Sequence, residues 1–256
     1  MAISSISNQN LYRNYQSLAS GKRINKAADD AAALAIVQKL MSQKNGHDVG
    51  YRNAGTSQDM INVADGALGS VTDSLQRIRE LSVQASNFMY TASDRGAIQA
   101  EIDQLKQSIS DTASQTQFNK MNILDGSMSN SHVAANPDGS GMGIQMPNST
   151  LAVLGIADFD VTSGDFDISV IDDAISKVSS SRSSMGASSN RLDSVMAYNA
   201  NASYNLTASQ SRLEDLDYPK AVSDLKKNQL LQTFQVMMGR KHLENEYGRV
   251  QQFFRS

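Results

Sequence analysis

The chain contains no cysteine and no tryptophan among its 256 residues, and it has only three prolines. Without cysteine it can form neither a disulfide framework nor a thiolate metal site, so the fold must be held together by packing. The formal net charge of -3 gives no general attraction to nucleic acid, and no window approaches the roughly 18 consecutive apolar residues of a membrane span. The composition therefore predicts no nucleic-acid partner and no membrane insertion.

Apolar residues recur in steps of three and four along three long stretches of the chain, with polar residues such as Ser74 taking some of the intermediate turns. This spacing places them on one side of an α-helix and is typical of coiled coils and helix bundles. The stripes are Ala64, Ala67, Val71, Ile78, Leu81 and Ala85, then Ile98, Ile102, Leu105, Ile109 and Ala113, then Ile171, Ile175, Val178, Met185, Leu192, Met196, Leu206 and Leu213. We therefore expect a mainly α fold, an elongated antiparallel helical rod or coiled-coil bundle formed by both chain ends. An ordinary intramolecular bundle explains the stripes equally well.

Turn signals divide this helical pattern. The first long helix is expected from about Asp29 to Ser86, and the glycines at 46–55 predict a kink, close packing or a break there. Ser93 or Asp94 is the expected cap of the next helix. Residues 121–167 hold two of the prolines and short apolar pieces, which predict a small insert containing a β-hairpin.

Signals for catalysis and for metal or cofactor binding are weak. Only three histidines are present, and the string HLENE lacks the second histidine that a zinc peptidase helix needs. DGSGMG lacks the lysine of a phosphate loop, so a plain turn is favoured. Glu214, Asp215 and Asp217 are more typical of a solvated face or helix caps than of an acid and base pair. We expect no enzyme, no metal site and no cofactor.

Specific strings go beyond this helical pattern. LASGKRINKAADDAAALAI, NVADGALGSVTDSLQRIRELSVQASN and SDRGAIQAEIDQLKQSISDTASQTQFNKMNILDG resemble the N-terminal region of bacterial flagellins over residues 18–126. ISKVSSSRSSMGASSNRLDSVMAYNANASYNLTASQSRLEDLDYPKAVSDL resembles the flagellin C-terminal region over residues 175–225. Because two separate regions match in the right order, the chain is identified as a member of this family.

The resemblance implies a structural subunit that self-assembles into a flagellar filament by packing of its terminal helices. Its partners would be further copies of itself, the flagellar export machinery and a chaperone, and its location the extracellular flagellum. Export would need no cleaved signal peptide, because the N-terminus lacks a basic start and an apolar run. The implied segments are an inner-core and connector segment at 1–28, rod helices at 29–120, the β insert at 121–167, a rod helix at 168–217 and an inner-core segment at 218–256. The residues expected to serve assembly are Gly21, Arg23, Asp29, Asp30, Leu230 and Phe234.

Departures from the family pattern suggest an atypical short flagellin. Only 18 residues extend from Met1 through Leu18, where flagellins usually carry a longer inner-core helix, and the C-terminal segment is more charged than usual. The runner-up interpretations are a hook-filament junction protein or a minor, weakly polymerising flagellin. A secreted enzyme that uses the insert is a remote alternative.

One motif suggests a host partner. In flagellins, LQRIREL and the facing helix contain the surface that Toll-like receptor 5 recognises. Packing between rods in the filament is an equally good role for the same surface. The matching residues here are Gln76, Arg77, Leu81, Gln84 and Glu101.

Overall fold

The computed structural model describes residues 2–253, with side chains at residues 11–248, and they are mainly helical. Its elements are α1 (Ala2–Ser20), α2 (Ala31–Ala85), α3 (Ala92–Gln115), β1 (Gln117–Phe118), β2 (Met121–Asn122), β3 (Ser131–Ala134), β4 (Gly141–Ile144), α4 (Leu151–Leu154), α5 (Ser169–Glu214) and α6 (Tyr218–Phe253). The predicted mainly α fold with a small β-hairpin insert is confirmed. No helix in the described part of the chain is both long and apolar enough to cross a membrane.

The chain divides into two compact units. The core unit is Lys44–Ser203 and contains the insert. The terminal unit combines residues 2–43 with residues 204–253 and contains α1 and α6.

The core unit is held by one apolar cluster in which α2, α3 and α5 share their stripes. Leu68, Leu75 and Ile78 of α2 are fully buried, as are Ile102 of α3 and Leu192 of α5. Most predicted stripe positions in this unit are buried, and Ala67, Leu105, Ile175 and Met196 pack against the cluster while partly exposed. A buried Leu or Ile side chain contributes roughly 1.5–3 kcal/mol relative to an exposed one, so this shared seam stabilises the unit.

The turn between α2 and α3 uses a different cap from the one expected. The N-cap is Thr91, not Ser93 or Asp94: its side chain accepts a hydrogen bond from the Asp94 amide at 3.3 Å. The Asp94 carboxylate in turn accepts one from the Thr91 amide at 2.9 Å. This reciprocal capping box satisfies two orphan amides at once, so α3 begins at Ala92.

A kink, close packing or a break was expected at the glycines of α2, and the structure shows close packing at two of them. The helix runs unbroken from Ala31 to Ala85, and the hairpin segment packs closely against it. A Cβ at Gly46 would collide with Pro137, and one at Gly50 would overlap the carbonyl group of Ala135. Glycine therefore allows the two backbones to approach.

Two short antiparallel hairpins follow α3: β1 pairs with β2 at the start of the insert, and β3 pairs with β4 within it. In the second, Val133 faces Met142 across the strands, and both side chains are buried. Its turn is closed by Asp138, whose carboxylate accepts a hydrogen bond from the Ser140 amide at 3.0 Å. Asn53 of α2 and Asn199 of α5 each donate a side-chain hydrogen bond of 2.9 Å to the carbonyl groups of Ala134 and Ala135 respectively. The hairpin is thus fixed to the helices by polar contacts as well as by packing.

We predict that Gly50→Ala destabilises the core unit by about 1–3 kcal/mol, because the added methyl group forces the hairpin away from α2. Gly66→Ala is the matched control, since a Cβ there meets nothing within 4 Å and removes helix flexibility. Thermal unfolding followed by circular dichroism should show a lower midpoint for the first variant and an equal or higher midpoint for the second. Equal midpoints for the wild type and Gly50→Ala would contradict the close approach.

Candidate functional site

The segments that connect the helices of the terminal unit pair with each other. Gly21 accepts a hydrogen bond from the Leu216 amide at 3.0 Å, and the Arg23 amide donates to the Glu214 carbonyl at 2.7 Å. Gly21 has a φ of +69°, a left-handed conformation that glycine adopts without strain. This short antiparallel bridge joins the chain leaving α1 to the chain leaving α5.

Two cations on this bridge hold the C-terminal end of α5. The Arg23 guanidinium donates to the Leu213 carbonyl at 2.6 Å, which satisfies a free carbonyl group at the helix end. Lys22 forms an ion pair of 2.6 Å with Glu214, which is only 5% exposed. Burial alone raises the pKa of Glu214, but hydrogen bonds from Lys22 and Gln210 outweigh it, so the net shift of this pKa is downward.

The three acidic residues at 214–217 differ in their surroundings. Glu214 is buried and paired, so its interpretation as part of a solvated face is wrong. Asp215 and Asp217 are exposed, and the Asp217 carboxylate accepts a hydrogen bond from the Lys220 amide at the start of α6. The sequence offered one signal for this ion pair: Lys22 lies between Gly21 and Arg23 in one connecting segment, and Glu214 lies at the start of the other.

Asp29 and Asp30 stabilise the local backbone before α2. The Asp29 carboxylate accepts hydrogen bonds from the amides of Lys26 and Asn25, and these bonds lower its pKa. Asp30 precedes the helix and accepts from the Ala33 amide at 2.9 Å, which is the geometry of an N-cap. Both side chains therefore shape the connection between α1 and α2.

Helix α6 carries a row of exposed apolar side chains. Leu230 is 72% exposed and Phe234 is 62% exposed, one helical turn apart. Met237 and Met238, at 62% and 54%, continue on the same side in the next turn. The polar contacts of α6 with α1 include Tyr218 to the Leu18 carbonyl and Gln229 to the Tyr15 hydroxyl. This apolar row is therefore largely open to solvent in the single chain.

The expected receptor surface centres on an ion-pair network in the core unit. Arg77 donates through Nε and Nη2 to the Glu101 carboxylate at 2.9 and 2.8 Å, and through Nη1 to Glu80 at 3.2 Å. The hydrogen bonds that Arg77 donates to Glu101, and then those to Glu80, raise the pKa of Arg77 because the carboxylates favour its charged form. About half of the Arg77 and Glu101 side chains remains exposed, at 51% and 46%. The network therefore fixes the orientation of these side chains and leaves them accessible.

The remaining expected receptor residues fall into two groups. Gln76 and Gln84 are exposed, and Gln84 donates to the Tyr90 hydroxyl at 2.9 Å. Leu81 is only 2% exposed and belongs to the apolar cluster of the core unit, so its assignment to an accessible receptor surface is wrong. Its position on the core stripe, rather than the motif, determines where its side chain lies.

Within the described residues, no group of three histidine or acidic side chains has the arrangement of a metal site. His47 instead contacts the Asn199 side chain at 2.7 Å, and His132 contacts the Gly139 carbonyl at 3.2 Å. His47 thus contacts the asparagine that holds the hairpin against α5, and His132 contacts the turn of the hairpin. The anchoring role of Asn53 and Asn199 was missed by the sequence analysis, because an asparagine inside a helix carries no signal of a distant partner.

Family models match both ends of the chain. The model described as the bacterial flagellin N-terminal helical region covers residues 1–129, and the one described as the bacterial flagellin C-terminal helical region covers residues 168–240. Both connecting segments, the Arg77 network and the exposed row on α6 lie within these matches. The region between them contains the hairpin of β3 and β4.

Whole-chain comparisons agree with the family models. The chain is 37% identical over 246 residues to the flagellar filament 33 kDa core protein of Treponema phagedenis, covering 88% of this chain and 85% of that protein. The crystal structure of Bacillus cereus flagellin is similar with a TM-score of 0.52 and 27% identity, over 58% of this chain and 88% of that one. A putative flagellar hook-associated protein from Vibrio parahaemolyticus has a similar fold, with a TM-score of 0.55 at 15% identity, over 72% and 100% of the two chains. The chain therefore belongs to the bacterial flagellin family.

Proposed function

We propose that this protein is a structural subunit of a bacterial flagellar filament and that it polymerises through its terminal helices. The observation that carries the proposal is the exposed apolar row on α6, led by Leu230 and Phe234. Exposed apolar rows of this kind are typical of surfaces that a partner covers. In a chain of the flagellin family, the partner that fits is a further copy of the same chain.

The terminal unit is suited to ordering during assembly. Its helices expose much of their apolar surface, so an isolated subunit gains little from keeping them folded, and neighbours supply the missing burial. The bridge at Gly21, Arg23 and Glu214 holds the segments after α1 and after α5 side by side within the terminal unit, and Asp29 and Asp30 shape the segment before α2. The proposed role is structural and non-catalytic. It includes export by the flagellar machinery without a cleaved signal, binding of a chaperone and an extracellular location.

Assembly can be tested by electron microscopy of the purified protein, with and without filament seeds, paired with circular dichroism of the monomer. We expect filaments and a gain of helix on polymerisation. The variant Leu230→Asp with Phe234→Asp should not polymerise, because two buried charges would replace apolar contacts. Val153→Asp is the control, since Val153 is a 47% exposed apolar residue of the insert.

A stably helical wild-type monomer that never polymerises would contradict the filament role. It would favour the junction protein or a minor flagellin. The similarity to the Vibrio parahaemolyticus protein supports a common fold and does not separate these roles. The copy number per flagellum separates these roles, because a filament subunit must be far more abundant than a junction protein.

We also propose recognition by Toll-like receptor 5 through Gln76, Arg77, Gln84 and Glu101, without Leu81. The support is the intact motif together with the accessible, oriented Arg77 and Glu101 side chains. Arginine is enriched among the residues that dominate protein interfaces, because its planar head forms several hydrogen bonds at once. Packing between copies in the filament remains an alternative use of this surface.

Replacing Arg77 with Asp is expected to weaken receptor binding by at least about 30-fold, the effect of losing a hot-spot side chain. Arg79→Asp is the matched control, because Arg79 is 49% exposed on the same helix and pairs with Asp172 at 2.6 Å. Both variants should keep the helical signal of the wild type, since exposed ion pairs contribute little to stability. Surface plasmon resonance against the receptor ectodomain measures the difference. Unchanged binding by the Arg77 variant would refute the assignment.

A further inference from the structure

Methionine is the only sulfur-containing residue type of this chain, which has twelve methionines and no cysteine. Sulfur side chains are common targets of peroxides, and the thioether of a methionine becomes a sulfoxide. Because cysteine is absent, we expect a mild peroxide to react with this chain at methionine. The sites of reaction then depend on which sulfur atoms the oxidant can reach.

Burial separates the methionines into two groups. Four are at most 6% exposed and lie within the apolar cluster of the core unit, namely Met60, Met142, Met146 and Met185. Five others among the described residues are at least 40% exposed, namely Met41, Met89, Met121, Met237 and Met238. The core unit therefore shields the first group, whereas an oxidant in solution can reach the second.

Two of the exposed methionines lie in the apolar row of α6. Met237 and Met238 are 62% and 54% exposed, and they follow Leu230 and Phe234 at helical spacing. The other exposed methionines lie on α2, in the turn between α2 and α3, and in β2. Among the described methionines, Met237 and Met238 are thus the pair that belongs to the row through which the chain is proposed to polymerise.

Oxidation changes the chemistry of this row. The sulfur atom of each methionine supplies an electron pair to hydrogen peroxide, and the O–O bond breaks. One oxygen atom becomes bound to sulfur, the other leaves as water, and the sulfur atom is oxidised by two electrons as the peroxide is reduced. A flexible apolar side chain thereby becomes polar. Burying its sulfoxide oxygen in an apolar contact without a hydrogen-bond donor is unfavourable.

Resting on the proposed filament function, we propose that Met237 and Met238 form an oxidation site that controls polymerisation. A free subunit exposes both sulfur atoms to a peroxide, and the sulfoxides that form oppose burial of the row. A subunit that has already joined a filament has the row covered by its neighbour, so the same atoms are protected. Oxidised subunits are therefore excluded from growing filaments, while assembled subunits resist the oxidant.

The site can be measured by peptide mass spectrometry after treatment of the full-length protein with hydrogen peroxide. In the monomer, the peptide that carries Met237 and Met238 should be oxidised at least about tenfold faster than the peptide that carries the buried Met185, which reacts only when the core unit opens. In the polymer, oxidation of the first peptide should be slower than in the monomer. Equal rates for the two peptides in the monomer would contradict the accessibility of the row.

The consequence is tested by the critical concentration for polymerisation, measured with and without prior peroxide treatment of the monomer. Peroxide should raise this concentration at least about tenfold for the wild type, since burying one methionine side chain is worth one to two factors of ten in an equilibrium constant. The variant Met237→Leu with Met238→Leu keeps an apolar row without sulfur, so peroxide should not change its own critical concentration. Met89→Leu is the matched control and should respond to peroxide like the wild type, because Met89 is 74% exposed and lies outside the row.

Reversal gives a second test on the same samples. Methionine sulfoxide reductases for both sulfoxide epimers, supplied with dithiothreitol, should restore polymerisation of the oxidised wild type. Circular dichroism should show the same helix content before and after oxidation, because the methionines of the core unit stay reduced.

Three outcomes separate this proposal from the filament function itself. An equal rise in critical concentration for the wild type and the double leucine variant would overturn the proposal, because another methionine would be responsible. Normal polymerisation of wild type that is fully oxidised at Met237 and Met238 would also overturn it and leave the filament function intact. Failure of the untreated wild type to polymerise would instead refute the filament function on which the proposal rests.

Discussion

The apolar seam shared by α2, α3 and α5 is the interaction on which the rest of the core unit depends. Leu68, Leu75 and Leu192 are completely buried in it. Because helices pack through stripes at fixed spacing, this seam sets which residues face outward as well as which face inward. It places Arg77 and Glu101 on neighbouring helices at hydrogen-bond distance, and it brings Asn53 and Asn199 to the hairpin.

The terminal unit follows a different physical logic. Its bridge is specified by Gly21, Arg23 and the ion pair of Lys22 with the buried Glu214, yet α6 leaves Leu230 and Phe234 largely exposed. A buried carboxylate needs a partner, so the bridge has a defined arrangement even where the helices beyond it have little apolar contact. The chain thus combines a core unit that is stabilised internally with ends whose apolar side chains are largely exposed in the single chain.

Periodicity in the sequence was sufficient to predict the long helices, because apolar spacing reports directly on the buried side. It was insufficient for features that depend on a distant partner. The close approach at Gly50 requires the Ala135 backbone, and the buried state of Glu214 requires Lys22 from the other end of the chain. The Thr91 cap was misplaced because Ser93 and Asp94 are equally good capping residues by type.

Family resemblance supplied the names of candidate interface residues but not their orientation. Leu81 belongs to the motif and is nevertheless buried, whereas Phe88 and Met89 lie outside it and are exposed. The motif describes sequence, and the helix phase decides which of its side chains a partner can contact. The candidate surface therefore had to be corrected residue by residue once burial was known.

Hydrogen exchange measured by mass spectrometry, on the monomer and on the polymer, tests the division between the two units most directly. The account predicts slow exchange in the buried parts of α2, α3 and α5 in both states. In α6, around Leu230 and Phe234, it predicts fast exchange in the monomer and strong protection in the polymer. Equal protection of α6 in the two states would contradict the claim that neighbouring subunits complete the terminal unit.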